Sequence, residues 1–120
     1  MSTKELKAKQ ANTLRRAHRT RARLHGTAVK PRLSVQVSLH HVAAQLINDD
    51  ENRTIIGVST ISQKFAGKTM TEKAAWVGGE IATKAQAAGV KQAIFDRGAK
   101  KYHGRMAALA DAAREKGLKI

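Results

Sequence analysis

The sequence predicts an α/β protein: a mixed β-sheet with two packed helices, preceded by a basic N-terminal helical arm. Apolar residues alternate with polar ones between residues 32 and 60, and they recur every three or four positions after residue 67. Positive charge is concentrated in the first 32 residues. A chain of 120 residues suits one compact domain with a tail. We expect a basic arm and linker at residues 1–31 and a single α/β domain at residues 32–120.

The arm is predicted to be a helix that buries little apolar surface. Residues 3–25 are rich in Lys, Arg, Ala and Gln, which favour helix formation. Leu6, Leu14 and Leu24 are isolated, so the helix is polar nearly all round. We expect it to be weak alone and to be stabilised by a polyanion. Gly26 and Pro31 then indicate a linker.

Three strands are predicted in the first half of the domain. Leu33, Val35 and Val37 alternate with polar residues, as in a half-buried strand. Residues 42–48 and 54–60 are two further runs suited to strands, and the acidic run at 49–52 separates them as a turn. Because the connections are short, the three strands should form an antiparallel meander.

A helix is predicted to follow residue 69. Its apolar face comprises Ala74, Val77, Ile81, Ala85 and Ala88. Thr69 and Glu72 have the spacing of a capping box, and Gly89 is placed to end the helix. The pair Gly78-Gly79 costs roughly 1 kcal/mol per Gly relative to Ala. Close approach of another backbone could compensate for that cost.

The last third of the chain predicts a strand at 90–96, a basic loop at 97–104 and a second helix. The face of this helix comprises Met106, Leu109, Ala110 and Ala113, and Gly117 ends it. Residues 118–120 could add a short strand. The order helix, strand, helix, strand favours parallel strands joined by β-α-β crossovers.

The charge indicates a polyanionic partner. The chain has 23 Lys and Arg against 9 Asp and Glu, a formal net charge of +14, and residues 1–32 hold ten of the basic groups and one acid. An anionic membrane surface is the alternative to nucleic acid, but the arm lacks the large apolar face of a membrane helix. Residues 15–23 contain five Arg and no Lys. Since Arg binds phosphate in a bidentate manner, this bias favours RNA over a solubilising tail.

Nucleotide hydrolysis is a weak alternative. Gly67-Lys68-Thr69 before a helix resembles the end of a P-loop, but Ser62 stands where that motif has its first Gly. We therefore favour a loop that runs into a capped helix. An enzyme that uses this loop stays open as a second hypothesis, in which substitution of Lys68 abolishes activity and spares RNA binding.

Metal and disulfide chemistry is not expected. There is no Cys, and no apolar run reaches the ~20 residues that span a bilayer. His40 and His41 are adjacent, so on a strand they would point to opposite faces. His18 and His25 lie about 10 Å apart along a helix, and Asp96 is better explained as the anchor of the turn that follows it. We expect a cytoplasmic protein without cofactor, metal or enzymatic activity.

The loop at 97–105 has a composition typical of an RNA contact. It contains four basic residues, two Gly and the only Tyr of the chain, Tyr102. Gly lets a backbone approach phosphate closely, and Tyr can stack on a base. With the arm already basic, RNA binding is favoured over a solvated loop.

Several motifs carry a family resemblance. They are Pro31-Arg32-Leu33-Ser34-Val35, Ala44-Gln45, Ser59-Thr60, Phe95-Asp96-Arg97-Gly98, Tyr102-His103-Gly104-Arg105 and the helical segment 108–115. In order and spacing they closely resemble the bacterial large-subunit ribosomal protein L-eighteen family, nearly from end to end of the chain. The resemblance implies a ribonuclease-H-like domain without nuclease activity that binds 5S ribosomal RNA and seats it in the central protuberance of the large subunit. Large-subunit rRNA and neighbouring ribosomal proteins are the further partners that it implies.

The resemblance also implies where RNA is contacted. The arm residues are Arg15, Arg16, His18, Arg19, Arg21 and Arg23, the hairpin residues are Ser38 and His41, and the loop residues are Arg97, Lys100, Lys101, Tyr102, His103 and Arg105. Arg32, the last basic residue of the charged N-terminal stretch, completes the predicted set.

The first hairpin departs from the family pattern. The family usually follows Leu-Ser-Val with Phe-Arg-Ser-Asn and often has Tyr before Ala-Gln. The residues found here are Gln36, Val37, Ser38 and Leu39, then Ala43. An aromatic and a basic side chain are therefore missing, and we expect the arm and the loop to supply more of the affinity.

Overall fold

A computed structural model describes residues 2–61, 68–98, 102 and 104–120 of the chain. The elements are α1 (Thr3–Arg21), β1 (Arg32–Val37), β2 (Val42–Asn48), β3 (Arg53–Ser59), α2 (Met70–Ala87), β4 (Ile94–Asp96) and α3 (Arg105–Glu115). The predicted α/β class, with a mixed sheet and an N-terminal helix, is confirmed.

The four strands form one sheet in the order β3-β2-β1-β4. The pairs β1–β2 and β2–β3 are antiparallel, so the predicted meander is confirmed, and β4 lies parallel to β1 on the other side. This order is compatible with the ribonuclease-H-like arrangement that the resemblance implied. The strand predicted at 90–96 is shorter than expected, because the amide of Ala93 bonds to Lys119 instead of to β1. The strand predicted at 118–120 is reduced to one parallel bridge between Gln92 and Lys119.

The core lies between the sheet and the two helices α2 and α3. The strands contribute aliphatic side chains such as Leu33, Val42 and Leu46, each wholly buried. The predicted helix faces are buried as expected at Ala74, Val77, Ile81, Ala85, Met106, Leu109, Ala110 and Ala113. The prediction is wrong for Ala88, which is exposed because α2 ends one residue earlier.

Gly78 marks the closest contact between α2 and α3. An ideal Cβ on Gly78 would lie 2.1 Å from the carbonyl oxygen of Leu109. On Gly79 it would meet nothing nearer than the Lys116 side chain at 3.9 Å. The close backbone approach considered from the sequence is thus present at Gly78. The burial that it permits offsets the low helix propensity of this residue.

Helix α1 and the segment after it are held differently from each other. No residue of α1 is buried, and the helix begins with a capping box between Ser2 and Glu5 that the sequence analysis missed. Gly26, in contrast, is buried against the sheet, where an added Cβ would lie 2.4 Å from the amide nitrogen of Arg32 and from the carbonyl oxygen of Ile47. The chain between α1 and β1 therefore packs on the domain.

Candidate nucleic-acid interface

The end of α1 and the end of β4 enclose a cleft of about 420 Å³, which we name the arm cleft. It is lined by Arg16, Arg19, Thr20, Arg23, Leu24, Phe95 and Arg97. Arg16 and Arg19 lie three residues apart on one face of α1, and Arg23 follows two residues after the helix ends. Leu24 and Phe95 add apolar surface between the guanidinium groups. The fold thus brings the predicted arm residues and the first residue of the predicted loop into one place.

Four arginine side chains of the arm are directed toward solvent. Arg15, Arg16, Arg19 and Arg23 are exposed, as is His18. Arg15 donates to the amide oxygen of Asn12 at 3.0 Å, and Arg16 donates to the hydroxyl of Thr13 at 3.2 Å. Because these acceptors are uncharged, the bonds orient the guanidinium groups and leave their charge unneutralised.

Two of the predicted RNA-binding arginines have carboxylate partners within the chain. Arg32 donates to Asp49 at 3.0 Å and to Asp96 at 2.8 Å, and its side chain is 12% exposed. Its assignment as an RNA contact is not kept, since its guanidinium faces two carboxylates. Arg21 is 39% exposed and pairs with Asp49 at 3.0 Å, so it holds the helix end as well as facing solvent.

Asp49 is the centre of this network and was missed from the sequence, where it was assigned only to a turn. The hydrogen bond from Arg32 is the largest cause that lowers the pKa of Asp49, from 3.8 to about 2. The same bond raises the pKa of Arg32. No spacing in the sequence could have revealed the pairs, because Arg32 lies 17 residues and Arg21 lies 28 residues from Asp49.

The described part of the basic loop adjoins the arm cleft. The ring of Tyr102 packs edge-on against Phe95, with centroids 5.6 Å apart, and its hydroxyl accepts a hydrogen bond from Arg114 at 2.7 Å. Arg97 and Arg105 are exposed. Asp96 accepts a hydrogen bond from the amide of Gly98 at 2.9 Å, which confirms its predicted role as a turn anchor. Lys100, Lys101 and His103 lie outside the described residues.

The first hairpin lies apart from the arm cleft. The hydroxyl of Ser38 accepts a hydrogen bond from the amide of His41 at 3.2 Å, and Nδ1 of His41 lies 3.2 Å from the hydroxyl of Thr60. Ser38 follows β1 and lies five residues after Leu33, the strand partner of Phe95 in the cleft, which is about 17 Å along an extended strand. His40 and His41 lie between β1 and β2 and not on a strand, so the strand geometry considered for them does not apply.

The segment that resembled a P-loop is used for helix capping. The hydroxyl of Thr69 accepts a hydrogen bond from the amide of Glu72 at 3.2 Å, which is one of the two bonds of the predicted capping box. Lys68 pairs with Glu72 at 3.4 Å, and this partner lowers the pKa of the carboxyl. Ser62 and Gly67 lie outside the described residues.

Across residues 2–61, 68–98, 102 and 104–120, no group of three His, Asp or Glu side chains is arranged to hold a metal ion. Over the same residues, no helix combines the length and the apolar character needed to cross a membrane.

Fold and surface together define a class: a basic α/β protein that presents guanidinium groups to a polyanion. The family described as "Ribosomal L18 of archaea, bacteria, mitoch. and chloroplast" matches residues 7–120. The large ribosomal subunit protein uL18 of Bacillus mycoides is 46% identical over 115 residues, which cover 94% of this chain and 96% of that protein. The uL18 of Chlorobaculum parvum is 48% identical over 102 residues, 83% of this chain and 86% of that protein. The chain therefore belongs to the uL18 family of ribosomal proteins.

Membership of this family confirms the resemblance that the sequence motifs indicated. It also confirms the expectations of a structural, non-enzymatic ribosomal role and of a location on the cytoplasmic ribosome. The hypothesis of a nucleotide-dependent enzyme is thereby set aside.

Proposed function

We propose that this chain is a structural component of the large ribosomal subunit that binds 5S rRNA and attaches it to the subunit in the central protuberance. The names of the relatives support the large subunit, and the motif resemblance supports 5S rRNA. The observation that carries RNA binding itself is the arm cleft, in which Arg16, Arg19 and Arg23 of the arm lie beside Arg97 of the loop. Large-subunit rRNA and neighbouring ribosomal proteins are the further partners in this proposal.

The proposed mechanism is phosphate neutralisation without chemistry. Guanidinium groups of the arm cleft donate paired hydrogen bonds to phosphate oxygens, and their positive charge displaces condensed counterions from the RNA. Leu24 and Phe95 supply apolar surface for the sugar or base edge between two phosphates. The basic residues that contact RNA in this proposal are Arg15, Arg16, His18, Arg19, Arg21, Arg23, Arg97, Lys100, Lys101, His103 and Arg105.

The hairpin has a secondary part in the proposal. Ser38 and His41 are exposed but engaged with each other in the turn, and they lie at the far end of β1 from the arm. They contact a separate stretch of RNA and contribute less than the arm. The arm at residues 1–31 therefore supplies most of the affinity, and the domain at 32–120 orients it.

A salt titration tests the proposal. The full chain is bound to 5S rRNA, and to an unrelated structured RNA of equal length, at several salt concentrations. With about six to ten phosphate contacts, the logarithm of the binding constant should fall with the logarithm of salt concentration at a slope of about −4 to −9. The 5S rRNA should be preferred at every concentration. A flat salt response contradicts phosphate binding, and equal affinity for the two RNAs contradicts the 5S assignment.

A substitution on the arm gives the matched residue test. Arg19→Ala removes one exposed guanidinium from the arm cleft, so affinity should fall and the salt slope should become shallower by roughly 0.7 to 0.9. Arg53→Ala is the control, because Arg53 is an exposed arginine on β3, at the opposite edge of the sheet from β4. Equal losses in the two variants would show that only overall charge matters.

A further inference from the structure

We infer that Asp49 and Arg32 are positioning residues, which join the end of the arm to the start of the basic loop, so that the arm cleft is formed before RNA binds. The connection, which we name the Asp49 relay, comprises Arg21, Gly26, Asp49, Arg32, Asp96 and Gly98. The inference rests on the proposed function, because it explains how two RNA-contacting elements are held together.

The arm side of the relay is tied at two points. Arg21, the last residue of α1, donates to Oδ1 of Asp49 at 3.0 Å, and the amide of Gly26 donates to Oδ2 at 2.7 Å. The amide of Asp49 in turn donates to the carbonyl of Gly26 at 2.9 Å. Arg21 also donates to the carbonyl of Leu24, a residue that lines the arm cleft. The exit of the arm is thus bound to the turn between β2 and β3.

The middle of the relay is one arginine between two carboxylates. Arg32 donates through Nε to Oδ2 of Asp49 at 3.0 Å and through Nη2 to Oδ1 at 3.2 Å. Its remaining terminal nitrogen, Nη1, donates to Oδ2 of Asp96 at 2.8 Å. The two carboxylate side chains are 8% and 7% exposed, so the pairs are shielded from water. Only a forked guanidinium can bridge both carboxylates in this geometry.

The loop side of the relay begins at Asp96. Its second oxygen, Oδ1, accepts a hydrogen bond from the amide of Gly98 at 2.9 Å, which fixes the first turn of the basic loop. Arg97, which lines the arm cleft, stands between these two residues. A continuous set of hydrogen bonds therefore runs from the last residue of α1 to the residue after Arg97.

The relay is needed because packing does not hold α1. No residue of α1 is buried, so its direction depends on how its C-terminal end is attached. An ion pair to the buried carboxylate of Asp49 and the packing of Gly26 restrict that direction, whereas a free linker samples many directions. A cleft formed in advance avoids the ordering cost that RNA binding would otherwise meet.

Removal of the negative charge of Asp49 distinguishes a positioning role from simple electrostatics, because the two predict opposite changes in RNA affinity. Asp49→Asn makes the chain more positive, which by charge alone should strengthen RNA binding. The relay predicts the opposite, an affinity for 5S rRNA about tenfold weaker with an unchanged salt slope, since no phosphate contact is lost. Glu51→Gln is the matched control, because it removes the same charge from the same turn at a side chain that is 62% exposed. It should bind as well as the unchanged protein or slightly better.

A second variant keeps the charge and removes the fork. Arg32→Lys retains one positive group but cannot bridge Asp49 and Asp96 together. This variant tests the relay even if Asp49→Asn fails to fold. It should weaken binding several-fold, while Arg53→Lys, the same change at an exposed position of β3, should have no effect. Amide exchange in the free, folded Arg32→Lys chain should increase at residues 22–27 and at 97–98, and it should stay unchanged in α2.

The outcomes distinguish a failure of the relay from a failure of the proposed function. The positioning role is supported if RNA affinity falls in both Asp49→Asn and Arg32→Lys, and if amide exchange in Arg32→Lys increases only at the two ends of the relay. Affinity equal to that of the controls overturns the relay and leaves the proposed function intact. Exchange that increases equally in α2 overturns it too, because the residues then act only on overall stability. If the unchanged chain shows no preference for 5S rRNA, the 5S assignment fails, and the exchange pattern still tests the relay.

Discussion

Helices α1 and α2 begin in the same way and are held in different ways. They are 19 and 18 residues long, and each has a hydroxyl side chain at its N-cap that accepts from the amide of a glutamate three residues on. Helix α2 buries six residues against the sheet and α3, whereas α1 buries none. Local sequence therefore accounts for where both helices start, but tertiary packing stabilises only α2.

This difference divides the molecule into a part that determines stability and a part that is available for binding. A change in α2 should act on the free energy of unfolding, because the helix is part of the core. A change in α1 should act on RNA affinity and on local order. The end of α1 is the exception, since the ion pairs of Asp49 link it to the sheet.

The largest expected effect is at the contact between α2 and α3. Gly78→Ala should lower the free energy of unfolding by about 2–3 kcal/mol, because the new Cβ would overlap the carbonyl oxygen of Leu109 and backbone must move. Gly79→Ala is the control and should be neutral or stabilising by up to about 1 kcal/mol, because its Cβ has room. Urea denaturation of both variants measures the difference. Similar values for the two would show that the helices can separate without cost.

The next largest expected effect is a pH dependence of the free energy of unfolding, caused by Asp49 at the junction of arm and domain. The pKa of Asp49 is about 2 in the folded chain, below its ordinary value of 3.8, so its contribution to stability is present above pH 3.8 and is lost as pH falls through 2. The full contribution is about 2 kcal/mol. The difference in unfolding free energy between the unchanged chain and Asp49→Asn should therefore narrow as pH falls from 5 to 2. Glu51→Gln should show no such narrowing, and a constant difference for Asp49→Asn would contradict the assignment.

The smallest expected effect is that of removing the N-cap side chain from α2, compared with the same change in α1. Thr69→Ala should lower the free energy of unfolding by about 1 kcal/mol, since the cap belongs to a helix of the core. Ser2→Ala removes the same kind of bond from α1 and should leave thermal unfolding unchanged, with faster amide exchange confined to the first turn. Equal effects on unfolding would mean that α1 is part of the cooperative unit after all.

The contrast between local sequence and tertiary packing also explains which elements could be predicted from the sequence. The alternation of Leu33, Val35 and Val37, and the apolar face of α2, are local patterns with a fixed period, so they predicted the elements with small errors at their ends. The arm was predicted to be a helix with little to bury because its leucines are isolated, and α1 buries no residue. The short β4 was overestimated, because its length depends on what Lys119 bonds to.

The sequence by itself determined the α/β class, the order of the strands and helices, and the concentration of charge on an arm with nothing apolar to bury. These follow from periodicity and composition, which act along the chain. Only the tertiary structure decided that Arg32 turns inward to Asp49 and Asp96 while Arg19 faces the arm cleft. Both are arginines in a basic stretch, and what separates them is a carboxylate 17 residues away that the fold brings within 3.0 Å.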